Sequence, residues 1–260
     1  MNQSQTGKRV VIKIGTGVLA RGDAGELHHA MIARLAQAIA DLCHSGHQCI
    51  VVSSGAVGAG VCYFELKERP TDIALKQACA AAGQAMLMHL YEHQFSLHRL
   101  KIAQLLLTHD DLENPKRLKN VNNTLSTLLG FKGIIPIINE NDSVATFELN
   151  VGDNDTLSSK VAQLINADLL ILLTAVPGLQ GPDAKDENDI ITHVEDVDTV
   201  LSYAHDDTGK LSVGGMGSKL LAVKSSVSAG IETVIASGFA PEQLGDIVDG
   251  KGICTRFSAK

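Results

Sequence analysis

Residues 139–160, NENDSVATFELNVGDNDTLSSK, bring five carboxylates and four asparagines together on one stretch of the chain. A stretch of this kind can form a solvated surface, a cation site, or part of a centre that transfers phosphate. Asp153 or Asp155 can cap the helical pattern that follows, which is a purely structural role. A helix cap accounts for one carboxylate and leaves the repeated Asn-Asp pairs unexplained. The composition of this stretch alone leaves the three alternatives open, and the rest of the chain decides between them.

Lys13 lies inside the apolar segment RVVIKI at residues 9–14, which is predicted to be a strand. A buried ammonium group costs free energy unless an anion pairs with it, whereas in an edge strand the side chain stays in water. Gly15, Thr16 and Gly17 follow directly, and glycine lets a phosphate approach the backbone amides closely. Lys13 and this turn are therefore candidates for a phosphate site.

Two more glycine-rich segments precede helical patterns. Residues 53–60, SSGAVGAG, combine hydroxyl groups with backbone amides that suit a carboxylate or a phosphate. Residues 213–219, VGGMGSK, place a lysine at a helix start, although the spacing of a Walker A P-loop is not met. Taken alone, residues 53–60 are also consistent with a tight turn into a helix, and residues 213–219 fit a flexible loop with a solvated lysine better than a phosphate site. Together with Lys13 they favour a site for anionic groups.

Apolar segments alternate with helical patterns along the chain. Strands are predicted at residues 9–14, 49–53, 102–107, 134–138, 169–174 and 233–236. Helices are predicted at residues 26–45, 73–97, 116–129, 156–165 and 218–229. The strands are continuous Ile/Val/Leu runs, which indicates a sheet covered on both faces. The predicted fold is α/β, a three-layer αβα sandwich around a mainly parallel sheet, whose ligands bind at the carboxyl ends of the strands.

The composition limits the location and the partners. The 260 residues with 45% hydrophobic content favour a single domain at residues 8–260 after a short polar tail at residues 1–7. A formal net charge of −7 and 3% aromatic residues argue against nucleic acid as a partner. The chain shows no apolar run of membrane-span length and no signal peptide, which predicts no membrane partner and a cytoplasmic location. Five scattered cysteines predict free thiols.

Eight short motifs follow one another from about Val10 to the end of the chain. They are V-x-K-x-G-T near the N-terminus, SSGA, A-x-x-G-Q (residues 80–84), QLLLT (104–108), P-x-INEND-x-VAT (136–146), VGDND-x-LS (151–158), LLT-x-x-x-GL (172–179) and GGM-x-SK (214–219). In these motifs the chain resembles the amino acid kinase family, and within it the members that phosphorylate glutamate. INEND and VGDND together make this resemblance specific.

The resemblance implies the amino acid kinase fold and a transfer of the γ-phosphoryl group of ATP to the γ-carboxylate of L-glutamate, which is the first step of proline synthesis. Lys13 and Lys219 would hold the phosphoryl group from opposite sides, and Asp155 would orient both lysines. Asp142, with Glu140 as a second candidate, would pair with the α-ammonium group of the substrate. Glutamate contacts are implied for Ser54, Gly55, Ala56, Asn139, Asp142, Asp153 and Asn154. ATP contacts are implied for Lys13, Gly15, Thr16, Thr174, Ala175, Val213, Gly214, Gly215, Met216, Gly217, Ser218 and Lys219.

The resemblance also implies cofactors and partners. Mg²⁺ is expected to bind mainly through the ATP phosphates, and the chain is expected to form a homo-oligomer of two or four copies. Feedback inhibition by proline and functional coupling to glutamate-5-semialdehyde dehydrogenase, which consumes the product, are implied as well. Many members carry a C-terminal PUA domain, and this chain, which ends at Lys260, is expected to consist of the kinase domain alone. Ala175 and Val213 stand where the family usually has Asp and Thr, so nucleotide affinity is expected to differ.

Four alternatives stay open. Residues 15–20 match the dinucleotide pattern G-x-G-x-x-A, but the acid expected at the end of the second strand is absent. Residues 89–93, HLYEH, match the inverted zinc-protease motif, but no third ligand is evident. A related kinase acting on aspartate, N-acetylglutamate or UMP shares the same fold. A catalytically inactive amino-acid sensor is the fourth, and Ala175 favours it slightly.

Overall fold

The computed structural model describes residues 7–21, 25–144, 154–205 and 215–259 of the chain. Its strands are β1 (Arg9–Ile14), β2 (Ala20–Arg21), β3 (Glu26–Leu27), β4 (Gln48–Ser53), β5 (Lys101–Leu107), β6 (Ile134–Glu140), β7 (Leu169–Thr174), β8 (His193–Val194), β9 (Glu232–Ser237) and β10 (Cys254–Phe257). Its α-helices are α1 (Thr16–Leu19), α2 (His29–His44), α3 (Ala56–Tyr63), α4 (Ile73–Leu97), α5 (His109–Glu113), α6 (Pro115–Leu129), α7 (Asn154–Leu164), α8 (Met216–Ser228) and α9 (Leu244–Val248). Short 3₁₀ helices lie at Val197–Thr199, Leu201–His205 and Pro241–Gln243.

Eight strands form one sheet in the order β5-β6-β4-β1-β7-β9-β10-β8. Neighbouring strands run parallel except for β10, which pairs antiparallel with β9. Strands β2 and β3 form a separate antiparallel pair. Because β1, β4, β6 and β7 are parallel neighbours, their carboxyl ends meet at one edge of the sheet, where ligands of α/β proteins bind.

The two faces of the sheet bury separate cores. Val10, Ile12 and Ile14 of β1 pack with α2, α4 and α9, whereas Val11 packs on the opposite face with α6, α7 and α8. Successive strand side chains alternate between faces, so Lys13 lies on the same face as Val11. The lysine predicted inside an apolar strand is therefore directed toward the layer that contains α7 and α8. The predicted three-layer α/β sandwich is confirmed.

All the strands and helices predicted from the sequence are present in the structure, with one clear difference in a helix boundary. The first long helix begins at His29 rather than at residue 26, because residues 26–27 pair with β2 instead. The sequence analysis did not predict the shorter elements, which are α1, β2, β3, α3, α5, β8, α9 and β10. The sequence of α3, AVGAGVCY, has low intrinsic helix propensity because it contains glycine and valine. Close packing on α4 holds it helical: a Cβ at Gly60 would lie 1.9 Å from the carbonyl oxygen of Cys79.

Candidate active site

A cleft of about 490 Å³ opens at the carboxyl ends of the central strands. The connections after β1, β4 and β7, the end of β6, and the first turns of α7 and α8 all contribute to its walls. The lining residues are Lys13, Gly15, Thr16, Gly17, Val18, Ser54, Gly55, Val57, Gly58, Arg69, Asn139, Asn154, Leu173, Thr174, Ala175 and Lys219. The cleft therefore combines cationic side chains, backbone amides and side-chain amides, which is a suitable lining for an anionic ligand.

Two lysines meet one aspartate at the base of this cleft. The Nζ atom of Lys13 lies 2.5 Å from Oδ1 of Asp155, and the Nζ atom of Lys219 lies 3.2 Å from Oδ2. All three side chains are buried, and Asp155 is completely inaccessible to solvent. A carboxylate that accepts from two ammonium groups fixes the positions of both. We refer to Lys13, Asp155 and Lys219 as the lysine–aspartate cluster.

Strand β1 and helices α7 and α8 determine the positions of the three residues in the lysine–aspartate cluster. Lys13 faces α7 by strand alternation, Asp155 is the second residue of α7, and Lys219 lies in the first turn of α8. The two helices approach closely through small residues, since the Ser159 and Ser226 hydroxyl oxygens lie 2.8 Å apart. The base of the cleft is thus built from one strand and two helix starts, which are rigid elements.

Burial and charge act in opposite directions on Asp155. Desolvation raises the pKa of the carboxyl group, but the ammonium groups of Lys13 and Lys219 outweigh it and hold the pKa below its ordinary value. The Ser218 hydroxyl also donates to Oδ2 over 3.1 Å. Asp155 is therefore ionised at neutral pH. Two ammonium groups around one carboxylate attract a further anion to this position.

The cluster adjoins a chain of side-chain amides whose direction is fixed. The backbone N–H of Glu140 donates to Oδ1 of Asn139 over 2.9 Å, so that atom must be the oxygen. Asn154 Nδ2 donates to the same oxygen over 3.1 Å and to the Ser54 hydroxyl over 2.9 Å. Asn139 Nδ2 in turn donates to Oε1 of Gln84 over 2.9 Å. We refer to Gln84, Asn139 and Asn154 as the amide chain.

The turn after β1 leaves the backbone open toward the cleft. The N–H of Gly15 donates to the Leu173 carbonyl over 3.2 Å, which ties this turn to the end of β7. A Cβ at Gly15 would lie 3.6 Å from Nζ of Lys13, and a Cβ at Gly17 would lie 3.9 Å from Cβ of Ala175. Glycine at these positions therefore keeps free the space in front of Lys13 and beside Ala175.

A second cavity of about 300 Å³ lies beyond the amide chain. Its lining comprises Ala56, Ala80, Ala81, Gln84, Ala85, Gln104, Leu106, Glu140, Asn141, Asp142 and Ser143. Burial raises the pKa of Asp142 to about 6. Consecutive residues connect the second cavity to the cleft. Gly55 and Asn139 line the cleft, and the residues that directly follow them, Ala56 and Glu140, line the second cavity.

Comparison with known proteins identifies the family. The sequence profile described as the amino acid kinase family matches residues 8–237. The chain is 45% identical over 260 residues to glutamate 5-kinase of Sodalis glossinidius and 43% identical over 263 residues to that of Salmonella paratyphi B. These alignments cover 99% and 100% of this chain and 70% of each relative. The chain belongs to the amino acid kinase family.

Solved structures of two other kinases have the same fold. The carbamate kinase from Giardia lamblia bound to AMP-PNP superposes with a TM-score of 0.68 at 16% identity, covering 98% of this chain and all of that one. The UMP kinase from Ureaplasma parvum superposes with a TM-score of 0.62 at 15% identity, covering 96% and 99% of the two chains. At this identity the similarity establishes the amino acid kinase fold alone.

The structure brings most of the predicted residues to one edge of the sheet. The cleft contains Lys13, Gly15, Thr16, Ser54, Gly55, Asn139, Asn154, Thr174, Ala175 and Lys219, with Asp155 at its base. Gly215, Met216, Gly217 and Ser218 form the start of α8. Ala56 and Asp142 line the second cavity instead of the cleft. Asp153, Val213 and Gly214 lie outside the described residues.

Sequence reasoning missed two features of the site. Arg69 lines the cleft although it comes from a polar segment between α3 and α4 that carries no motif. Gln84 belongs to the A-x-x-G-Q motif, but the sequence does not indicate that its side chain joins Asn139. The signal for Gln84 was a polar residue on the otherwise apolar face of α4, where neighbouring buried positions are Gly83 and Leu87.

The zinc-protease interpretation of residues 89–93 finds little support in the described part of the chain. His89, Glu92 and His93 are not buried on α4, and within the described residues no cluster of three His, Cys, Asp or Glu side chains is arranged to hold a metal. All five cysteines are free thiols. No helix in the described part of the chain is long and apolar enough to cross a membrane.

Proposed function

We propose that this chain transfers the γ-phosphoryl group of ATP to the γ-carboxylate of L-glutamate, producing γ-glutamyl phosphate and ADP in the first step of proline synthesis. The observation that carries the proposal is the lysine–aspartate cluster, in which one buried carboxylate orients two buried ammonium groups toward a cleft. The choice of glutamate is supported by the 43–45% identity to glutamate 5-kinases over nearly the whole chain.

The chemistry requires two anions to meet. The γ-carboxylate is ionised at pH 7, so the attack on phosphorus needs no general base. Lys13 and Lys219 supply positive charge on the two sides of the transferring group, where negative charge spreads over the phosphoryl oxygens in the transition state. Asp155 holds both ammonium groups in place before ATP and glutamate bind, and its role is positional.

Mg²⁺ would enter this site on the phosphates of ATP and neutralise part of their charge. Both carboxylate oxygens of Asp155 already accept from lysines, which fits a metal held by phosphate oxygens rather than by this aspartate. For the nucleotide we assign Gly15, Thr16, Thr174, Ala175 and the start of α8. The amide N–H groups at the start of α8 and its dipole favour phosphate. Val213 and Gly214 are assigned to the same loop by similarity.

The amino acid would lie between the cluster and the second cavity. Ser54, Asn139 and Asn154 line the cleft beside Lys13, and Asp142 lies in the adjoining second cavity. We assign Asp142 as the partner of the α-ammonium group of glutamate, and Gly55, Ala56 and Asp153 as further contacts of the glutamate molecule.

We also propose that the chain forms a homo-oligomer, that proline inhibits it, and that it is functionally coupled to the enzyme that reduces the labile acyl phosphate.

The test is ADP release by the purified chain with Mg-ATP and, separately, L-glutamate, L-aspartate, N-acetylglutamate and UMP, with hydroxylamine added to trap an acyl phosphate. We expect hydroxamate with glutamate and at least tenfold less product with the other three. A matched Lys219→Met preparation excludes a contaminating kinase. Preferential turnover of another substrate would keep the family and overturn the substrate. If the chain bound glutamate but released no ADP, the kinase interpretation would be wrong and an inactive amino-acid sensor would be the better interpretation.

A further inference from the structure

The direction of the amide chain leaves one buried donor without a partner. Oδ1 of Asn139 is fixed as the oxygen by the Glu140 N–H, so Asn139 Nδ2 must donate and Gln84 Oε1 must accept. The remaining Gln84 atom is therefore Nε2, an N–H donor. It is inaccessible to solvent and has no hydrogen-bond partner among the described residues. The side chain of Gln84 is 7% exposed.

The unpartnered donor belongs to a residue that lines the second cavity. Gln84 is not part of the cleft lining, whereas Asn139 and Asn154 line the cleft. A buried N–H group without an acceptor destabilises the folded chain, which points to an acceptor that arrives with a ligand. Asp142 in the same cavity is anionic above its pKa of about 6 and attracts a cation. The cavity thus offers one site for an anion and one for a cation.

Helix packing brings a second group of donors to the same place. Helix α3 begins at Ala56, which lines the second cavity, and its N-cap residue Gly55 makes no side-chain capping bond. A Cβ at Gly83 would lie 1.9 Å from the carbonyl oxygen of Ala56, so α4 touches the first turn of α3 at the residue next to Gln84. The amide groups of the first turn of a helix favour a carboxylate.

We propose that Gln84 is a specificity-determining residue that donates through Nε2 to the α-carboxylate of the substrate amino acid, together with the first-turn amides of α3. This inference rests on the proposed function. The α-ammonium group then pairs with Asp142, and the γ-carboxylate extends toward Lys13. A ligand without the α-carboxylate would leave the buried Gln84 donor without an acceptor. Binding sites built around such a donor discriminate strongly against ligands that lack the matching group.

The test compares L-glutamate with two truncated analogues. Glutarate lacks the α-ammonium group, and 4-aminobutyrate lacks the α-carboxylate. The KM for glutamate and the inhibition constants of both analogues against glutamate are measured for the wild-type chain, for Gln84→Met and for Gln94→Met. Gln94 lies on the same helix and lines neither cavity, so its variant controls for the substitution itself.

In Gln84→Met we expect the KM for glutamate and the inhibition constant of glutarate to rise about tenfold or more, because both ligands carry the second carboxylate. The inhibition constant of 4-aminobutyrate should change less than about threefold, since it has no carboxylate for this donor. Gln94→Met should match the wild type for all three ligands. Gln84→Glu keeps an acceptor for Asn139 and replaces the donor by a carboxylate oxygen. In mildly alkaline buffer this variant should raise the KM for glutamate at least as much as Gln84→Met does.

Two results would overturn the role of Gln84. Equal weakening of all three ligands in Gln84→Met would mean that the residue only supports Asn139. Unchanged constants in a folded Gln84→Met variant would mean that the donor is not used. Neither result touches the wild-type activity on glutamate. Failure of the wild-type chain to form hydroxamate would instead overturn the proposed function.

Discussion

Asp155 accepts from Lys13 through one carboxylate oxygen and from Lys219 through the other, so a single residue at the start of α7 sets the positions of both lysines. The contacts join the first strand of the sheet to two helix starts that are far apart in the sequence. Buried ion pairs of this kind are costly to desolvate and often add little net stability. Their retention at the base of the cleft is better explained by charge placement than by stability.

Replacement of Asp155 by asparagine should both destabilise the protein and abolish activity. A neutral amide at this position cannot compensate two buried ammonium groups, and breaking a buried ion pair on one side costs about 3–5 kcal/mol. The pKa of Asp155 is lowered in the folded chain, so its contribution is present above the unfolded pKa and is lost as the pH falls through the folded value. Urea unfolding should therefore show a wild-type advantage at neutral pH that shrinks in acid. An equally stable variant at neutral pH contradicts this account.

Replacement of Lys219 by methionine should lower kcat about 100-fold or more, because a charge that acts on the transferring group is removed. Lys224→Met is the matched control. Lys224 lies on the same helix, is partly exposed and pairs with Asp198 away from the cleft. The control should retain kcat within about twofold, since surface pairs contribute little. Equal rates for Lys219→Met and wild type in steady-state assays would remove Lys219 from the mechanism.

Replacement of Asp142 by asparagine should raise the KM for glutamate about tenfold while the KM for ATP stays the same, because one charged partner of the ammonium group is lost. The free protein should become more stable above neutral pH, by roughly 1 kcal/mol, because the carboxylate is desolvated and its pKa is raised; partial exposure limits the gain. The folded state holds the Asp142 proton more tightly than the unfolded state, so the gain grows as the pH rises between about 4 and 6. Melting temperatures of the wild type and of Asp142→Asn, compared across this pH range and above it, test the predicted gain in stability. A change confined to the KM for ATP would contradict the assignment.

The pH dependence of glutamate use follows from the same residue. Above its pKa of about 6 Asp142 is mostly ionised and can pair with an ammonium group, whereas below that value it is mostly protonated. We expect kcat/KM for glutamate to fall on the acid side with an apparent pKa of about 6. In Asp142→Asn this acid limb should disappear. An identical profile in the variant would assign the limb to another group.

Gly83→Ala should separate α3 from α4 and loosen the second cavity. The added methyl group would overlap the carbonyl oxygen of Ala56, which is backbone and cannot rotate away. A loss of about 3 kcal/mol in unfolding free energy is expected from such overpacking. Gly245→Ala in α9 is the control, since no atom lies within 4 Å of its added methyl group and alanine favours a helix. Denaturant titration of both variants decides whether the contact or the substitution type is responsible.

The sequence allowed prediction of the parallel sheet for a physical reason, because continuous apolar runs define buried strands. A lysine in such a run needs an anion, but the choice of Asp155 and Lys219 as its neighbours came from the resemblance to the family and not from the apolar pattern. Helix α3 could not be predicted, because its stability comes from glycine contacts with α4 rather than from its own residues. The antiparallel strand β10 has four residues, too few for a periodic signal. The role of Gln84 depends on which of its two side-chain atoms is already engaged, and only the folded structure shows that.

The amide chain has a consequence for how the site meets its ligands. Neither Asn139 nor Gln84 can rotate its amide by half a turn alone, because the Glu140 N–H, a part of the backbone, dictates the orientation of Asn139 and through it that of Gln84. The backbone of β6 therefore determines which atoms of the amide chain are donors and which are acceptors, and a ligand does not change this. Under the proposed role of Gln84, an amino acid bound backwards would place its ammonium group against the Gln84 donor, and the backbone N–H of Glu140 would thereby help to set the orientation of the substrate.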